Sequence, residues 1–493
     1  MKTEPRSTAR SRPSLPLSDL AELTAVEAVM AIRRGDIKAE AYVLRLLDQH
    51  KRLRHLNALT WIDESKVLDA ARRVDLARHR GDALGPLAGL PVVVKDNIDT
   101  LGFPTSSGTA SLKGLMPKSD APVVAALWRA GAFLLGKANM HELAGGGTSS
   151  NPAFGFVGNP YDPKRTPGGS SGGTAAALAA RIAPAGLGSD TAGSVRIPSA
   201  FSGTAALRPS IAGGKLYSDQ GMVPLVSDLD TIGPMARTVG DVALLHTTIT
   251  GQAVVETSLK GVRIGVPRTP YWEDIDDDVR VSAQASLDRL RDAGAVLLDI
   301  DWRPLMDAAL PVFQTLLTIG MKGDLSRYLA NQAPALDACT IIDRIESRDT
   351  KHLFTMAAET TLPPGAAEQT RTVLRERIQS QYRDLFRAHG IVAIAFPSEP
   401  LTAPLIPAAG DSFEDEVITG GKTVNKVFTL IRNTGITCAL GIPGVALPAG
   451  LAPSGLPVGF EFDGLAGGDA ALLGLALSAE KAIGRIPAPA LAA

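Results

Sequence analysis

The sequence predicts one large α/β domain in which a β-sheet is covered by helices. Three observations point there. Amphipathic helical stretches and short β-branched apolar runs alternate along much of the 493 residues. The clearest of those runs, Val92–Val94, is continuous rather than alternating, as in a strand buried on both faces. No internal repeat, long low-complexity linker or composition break divides the chain.

From Leu17 to about Arg80 the pattern is helical. "LTAVEAVMAIRRG" spaces its apolar residues three and four apart and stops at Gly35, and "AEAYVLRLLDQHKRL" follows as a second amphipathic helix. "LPVVVKDN" then reads as a buried strand with Lys95 at its C-terminal end. "APVVAALWRAGA" reads as a helix and "FLLGKANM" as a strand and its exit. Residues 145–173 are rich in Gly, Ser, Asn and Pro; a loop of that length inside a domain is usually functional. "TAAALAARIAP" is a short helix stopped near Pro184. Beyond it, "GVRIGVPR" and "VLLDIDW" read as strands around the helix "DDDVRVSAQASLDRLRDAGA". Residues 303–385 are mainly helical, and "GIVAIAFPS" and "GVALPAGL" are late strands.

The bulk numbers narrow the function. With 45% hydrophobic and 20% charged residues the chain has ordinary globular composition. Its net charge of −1, with no basic stripe, argues against nucleic acid and for a small-molecule substrate. Cys339 and Cys438 have no metal-like spacing and read as buried fillers in a reducing, cytoplasmic setting. The best membrane candidate, "APVVAALWRAGAFLLG", is interrupted by Arg129, and no membrane span is expected. Residues 1–16 are polar and lack an apolar signal core, so they read as a disordered tail before a domain at 17–485, with 486–493 as a C-terminal tail.

"PGGSSGGT" (167–174) carries the chemistry. It lacks the lysine of a phosphate-binding loop and the G-x-G-x-x-G spacing, and it runs directly into an alanine-rich helix, unlike a linker. A second dense motif follows, "GSDTAGSVRIPSA" (188–200). Small residues around Ser194 let the backbone approach a substrate and aim N–H groups at an oxyanion. A serine nucleophile needs a base. Of seven histidines only His141 lies near a glycine-rich loop, and it reads as structural. Lys95 is the alternative: burial at a strand end disfavours its charge, and a neutral lysine accepts a proton. No H-E-x-x-H or similar cluster suggests a metal, and no cofactor is expected.

Taken together, "LAGLPVVVKDNIDT", "TPGGSSGGTAAALAA" and "GSDTAGSVRIPSAFSG" resemble the amidase signature family. Ser170 and Ser194 stand 24 residues apart, as in that family. "VPLVSDLDTIGPMARTVGDVALL" and "GIPGVALPAGLAPSGLPVGFEF" resemble its later blocks. The resemblance implies a single domain with a mixed central sheet and helices on both faces. It implies Ser194 as nucleophile, Ser170 as proton relay after a cis Gly169–Ser170 bond, and Lys95 as base. The N–H groups of Thr191, Ala192, Gly193 and Ser194 would form the oxyanion hole. Ser171 would support Ser170 by hydrogen bonding, and Asp190 and Arg196 would hold the fold. Family members are often dimers, which makes a homodimer an expectation here.

Several positions depart from the family pattern. Ala192 replaces a glycine, so the loop there must use backbone angles open to alanine. Ser202, Ala206 and Ser210 stand where Cys, Gly and Thr are common, and should alter packing rather than chemistry. Gly145, Gly146 and Gly147, with Thr148, lie in the family's substrate-side loop; three glycines there predict a wider or more mobile acyl pocket. Ile197 replaces the Gln usual in the amidotransferase branch. "NPAFGFVGNPYDPKRTPGGSSGGTAAALAARIAPAGLGSDT" is most similar to indoleacetamide and mandelamide hydrolases, which implies action on aryl-containing amides. An aryl-acylamide or carbamate hydrolase is the alternative, and a non-catalytic scaffold or one chain of an amidotransferase ranks below both.

Overall fold

The computed structural model describes residues 17–491, so the expected tail at 1–16 lies outside the described residues. The strands in chain order are β1 (Leu59–Trp61), β2 (Pro91–Lys95), β3 (Phe133–Ala138), β4 (Ala185–Asp190), β5 (Ala205–Arg208), β6 (Thr231–Ala236), β7 (Arg263–Pro267), β8 (Val296–Asp301), β9 (Ala393–Pro397), β10 (Glu416–Thr419), β11 (Lys422–Asn425), β12 (Gly444–Leu451) and β13 (Pro457–Asp463). Eleven of them form one mixed sheet in the order β1-β3-β2-β4-β6-β5-β12-β13-β9-β7-β8, and β10–β11 is a separate hairpin.

Helices cover both faces of this sheet, and the valine run shows why. Val93 packs among residues of helices Ala39–Arg52 and Gly172–Ala179, whereas Val92 and Val94 pack with those of helices Pro122–Arg129 and Val239–Thr250. A strand alternates its side chains, so burial on both faces requires an unbroken apolar run. The next step of that alternation puts Lys95 on the face of Val93, the side where helix Gly172–Ala179 begins. Strands β2 and β4 are parallel neighbours, with Val94 opposite Leu187, so the ends of both strands open at one edge. Crevices at the carboxyl ends of parallel strands are where α/β folds hold ligands.

The helix at Ala25–Arg34 ends at Gly35 in the left-handed conformation, where the sequence places its stop. The alanine-rich helix starts earlier than its apolar pattern suggests and ends at Ala179, well before Pro184. Residues 303–389 form a helical layer, from Arg303–Ile319 to Arg375–His389. Among the described residues no single helix is long and apolar enough to cross a membrane. One bent pair, Arg303–Ile319 with Met321–Gln332, meets that test only jointly, and its apolar face (Val312, Phe313, Leu316) is buried in the core. Cys438 is buried, but Cys339 is exposed, because its helix Ala338–Asp343 turns only Ala338 and Ile341 inward. Residues 486–491 have no regular structure and lie against the domain, where Tyr161 donates to the Pro487 carbonyl at 2.9 Å.

Candidate active site

Three segments meet at the open edge of β2 and β4. From the end of β2, Lys95 Nζ donates to Ser170 Oγ at 2.7 Å and to Ser189 Oγ at 2.8 Å. Lys95, Ser170 and Ser189 are all buried. Burial pushes the Lys95 amine down to about 7, although Asp190 and Asp230 pull it the other way. The Gly169–Ser170 peptide bond is cis. Ser171 sits just before helix Gly172–Ala179 but does not bond Ser170. Its hydroxyl donates to the Ser189 carbonyl (3.1 Å) and its amide to the Ser194 carbonyl (3.2 Å). Ser171 therefore ties the two serine motifs together instead of supporting Ser170 directly.

Ser194 occupies the turn between β4 and helix Arg196–Ser202, 7% exposed, and its hydroxyl has no hydrogen-bond partner among the described residues. The turn is shaped from below by Asp190. Its carboxylate accepts from the amides of Gly193 (3.0 Å) and Val195 (3.1 Å), from Arg196 and from Arg208. Burial alone would raise the Asp190 carboxyl, but the two guanidiniums outweigh it and hold the group well below the usual carboxylate range. Arg196 also reaches Glu461 at 2.6 Å and the Thr434 carbonyl at 3.0 Å.

The Gly193 amide, one of the four expected donors, is thus engaged by Asp190. The amides of Thr191, Ala192 and Ser194 have no acceptor among the described residues. Gly193 carries the positive φ of the turn, +126°, and a Cβ there would lie 2.3 Å from Thr434 Oγ1. Ala192 has no positive φ, so glycine is unnecessary at that position. Its carbonyl is fixed by Thr434 Oγ1 at 2.6 Å.

Gly145, Gly146 and Gly147 do not open a void, contrary to the wider pocket their composition suggests. A Cβ at Gly145 would stand 2.6 Å from Thr350, one at Gly146 2.3 Å from the His141 ring, and one at Gly147 3.2 Å from Leu430. The missing side chains are replaced by neighbours that pack against the loop backbone. Thr148 is buried and donates to Asp411. The loop itself lies directly on the serine motif: the His141 amide donates to the Ser170 carbonyl at 3.1 Å, and Ser149 Oγ donates to the same carbonyl at 3.3 Å.

Ser189, Asn97 and Asp230 escaped the sequence reading. Asn97 donates to Ser189 Oγ at 3.0 Å, and Asp230 accepts from Thr191 Oγ1 at 2.5 Å. Ser189 and Asn97 sit inside the serine and valine-run motifs, but only the pairing of β2 with β4 reveals that Ser189 meets both Lys95 and Asn97.

The family model "Amidase" matches residues 41–473. An indoleacetamide hydrolase of Agrobacterium vitis is 35% identical, covering 95% of this chain and 98% of its own. A mandelamide hydrolase of Pseudomonas putida is 33% identical, covering 95% and 93%. One chain of the glutamyl-tRNA(Gln) amidotransferase of Salinispora arenicola is 31% identical, covering 96% and 100%. Among solved structures, one described as an amidase superposes with a TM-score of 0.82 at 29% identity, over 94% of this chain and all of its own. A buried lysine on paired serine motifs, within a sheet and sequence shared over nearly the full length, makes this chain a member of the amidase signature family, hydrolases of amide C–N bonds.

Proposed function

We propose that this protein hydrolyses small aryl-containing amides through a Ser194–Ser170–Lys95 relay and an acyl-enzyme. The observation that carries the reading is the buried Lys95 Nζ, 2.7 Å from Ser170 Oγ, with its amine pushed down to about 7. A lysine neutral near pH 7 can accept the Ser170 proton while Ser170 takes the proton of Ser194. Ser194 Oγ then bonds the amide carbonyl carbon, and the oxyanion is held by the free amides of Thr191, Ala192 and Ser194. The positive end of helix Gly172–Ala179 favours the same negative charge. The proton returns through Ser170 to the leaving amine as the C–N bond breaks, leaving an ester on Ser194. Water repeats the sequence, releases the acid and restores the Ser194 hydroxyl. Asp190, Arg196 and Ser171 hold the turn and do not exchange protons in this scheme.

The similarity to indoleacetamide and mandelamide hydrolases supports an aromatic acyl group and ammonia as leaving group. The competing reading puts the aromatic group on the leaving side, as in an acyl anilide or aryl carbamate. A panel of indole-3-acetamide, mandelamide, an acyl anilide and an aryl carbamate separates them. Ammonia from the first two supports the proposal; aromatic amine from the last two alone would replace it. Ile197, in place of glutamine, argues against the amidotransferase role.

A further inference from the structure

His141 contacts two parts of the molecule at once. Its amide is bonded to the Ser170 carbonyl, while its ring, fully buried, faces the helical layer. Nε2 lies 3.1 Å from Asp349 Oδ1, in helix Arg348–Glu359, and Nδ1 lies 3.4 Å from Thr148 Oγ1. Thr148 spends its single hydroxyl proton on Asp411, and Asp411 Oδ1 is paired with Lys426 Nζ at 2.6 Å. A hydroxyl whose proton is committed presents only lone pairs to Nδ1, and a carboxylate presents only lone pairs to Nε2. A neutral imidazole has one N–H and must leave a lone pair facing one of them. Both contacts are met only when both ring nitrogens carry hydrogen.

The surrounding charges agree. Asp349 and Asp411 face the ring from the helical layer and from the 405–415 loop, and Glu142 adjoins it in its own loop. Lys426 compensates Asp411 and Asp415, and Arg348 donates to the Gly410 carbonyl. Burial would lower the imidazole, but Asp349, then Asp411 and Glu142, outweigh it and raise it above its ordinary 6.5. The same junction is reinforced by the Glu142 carboxylate, which accepts from the amides of Glu346 and Ser347 at 3.0 and 2.8 Å, ahead of helix Arg348–Glu359. His141, Asp349 and Asp411 bring ligand atoms within 4.8 Å of one another, but the Lys426 ammonium and the Thr148 hydroxyl already engage Asp411.

We propose that His141 is an imidazolium that serves as a positioning residue, tying the glycine-rich loop on Ser170 to the helical layer and so setting how substrate is held. This rests on the proposed amide hydrolysis for its kinetic consequence and not for its protonation. The tie is complete below the unfolded value of 6.5 and is lost as pH rises through the raised folded value, so KM rises in that direction.

Histidine-selective ¹⁵N NMR of the wild-type protein tests the charge, with the His141 signals identified by their loss in His141→Gln or their shift in Asp349→Asn. At about pH 6.5, the ordinary imidazole value, both ring nitrogens should show mainly the protonated shift; a neutral single-tautomer pattern there would overturn the proposal. KM for mandelamide, measured from about pH 6 to 9.5, tests the positioning. The wild type should show a rise in KM toward high pH. His141→Gln should start about tenfold higher in KM and be flat, while the ascending limb of its kcat stays near 7. A wild-type KM that does not change with pH, or a His141→Gln KM that still does, would overturn it. Failure to cleave mandelamide at all refutes the substrate reading and leaves the NMR result to decide the charge.

Discussion

Lys95 Nζ lies 2.7 Å from Ser170 Oγ at the shared edge of two parallel strands, and among the described residues no carboxylate is in direct contact with it. Ser189 provides its other contact, so among the described residues the amine has two hydroxyl partners and no ion pair. That combination lets burial dominate and leaves a lysine able to work as a base.

The pH dependence follows with a definite sign. In the proposed relay the working form of Lys95 is the neutral amine, and burial lowers its value from 10.5 to about 7. Activity, measured as kcat, should therefore fall as pH drops through about 7 and level off above it. Lys95→Met should lose on the order of a thousandfold or more in kcat, with the pH limb gone. A variant that keeps the limb would show that it belongs to another group.

Ser189→Ala removes the second hydroxyl from the lysine without touching Ser170. We expect a loss of about tenfold in kcat with little change in thermal stability. An unchanged kcat would reduce Ser189 to a bystander.

Asp190→Ala should be a stability variant first. It leaves the buried Arg208 guanidinium without its carboxylate, takes one of two carboxylates from Arg196, and releases the amides of Gly193 and Val195. Breaking a buried pair on one side costs about 3–5 kcal/mol, which denaturant unfolding would register. A loss below about 1 kcal/mol would mean that the network relaxes or admits water.

The glycine run gives a graded test. Gly146→Ala places a Cβ 2.3 Å from the His141 ring, whereas the nearest atom to a Cβ in Gly147→Ala is Leu430 Cδ1, at 3.2 Å. Overpacking at Gly146 should cost about 1–3 kcal/mol and Gly147 clearly less, read as the shift in unfolding midpoint. Equal effects would contradict the packing described for this loop.

Much of this was legible in the sequence, and the reasons differ by element. The valine run and the two serine motifs name their own positions, because buried strands and tight turns demand particular residue types. Gly35 marks a helix end for the same reason. Strands β4, β5 and β6 were harder to see: they are short, rich in Gly, Ala and Pro, and earn their structure from neighbours. Gly145–Gly147 misled in the opposite way. Composition shows that side chains are missing but not that Thr350, His141 and Leu430 arrive from distant segments to fill the space. The charge proposed for His141 is invisible for the same cause, since Asp349 is 208 residues away.

The most direct test of the relay is intact-protein mass spectrometry of enzyme quenched during turnover of mandelamide or indole-3-acetamide, followed by peptide mapping. The account predicts a mass gain equal to the acyl group on Ser194, with neither adduct nor turnover in Ser194→Ala. Turnover that survives Ser194→Ala, or an acyl group mapped to a different side chain, would contradict it.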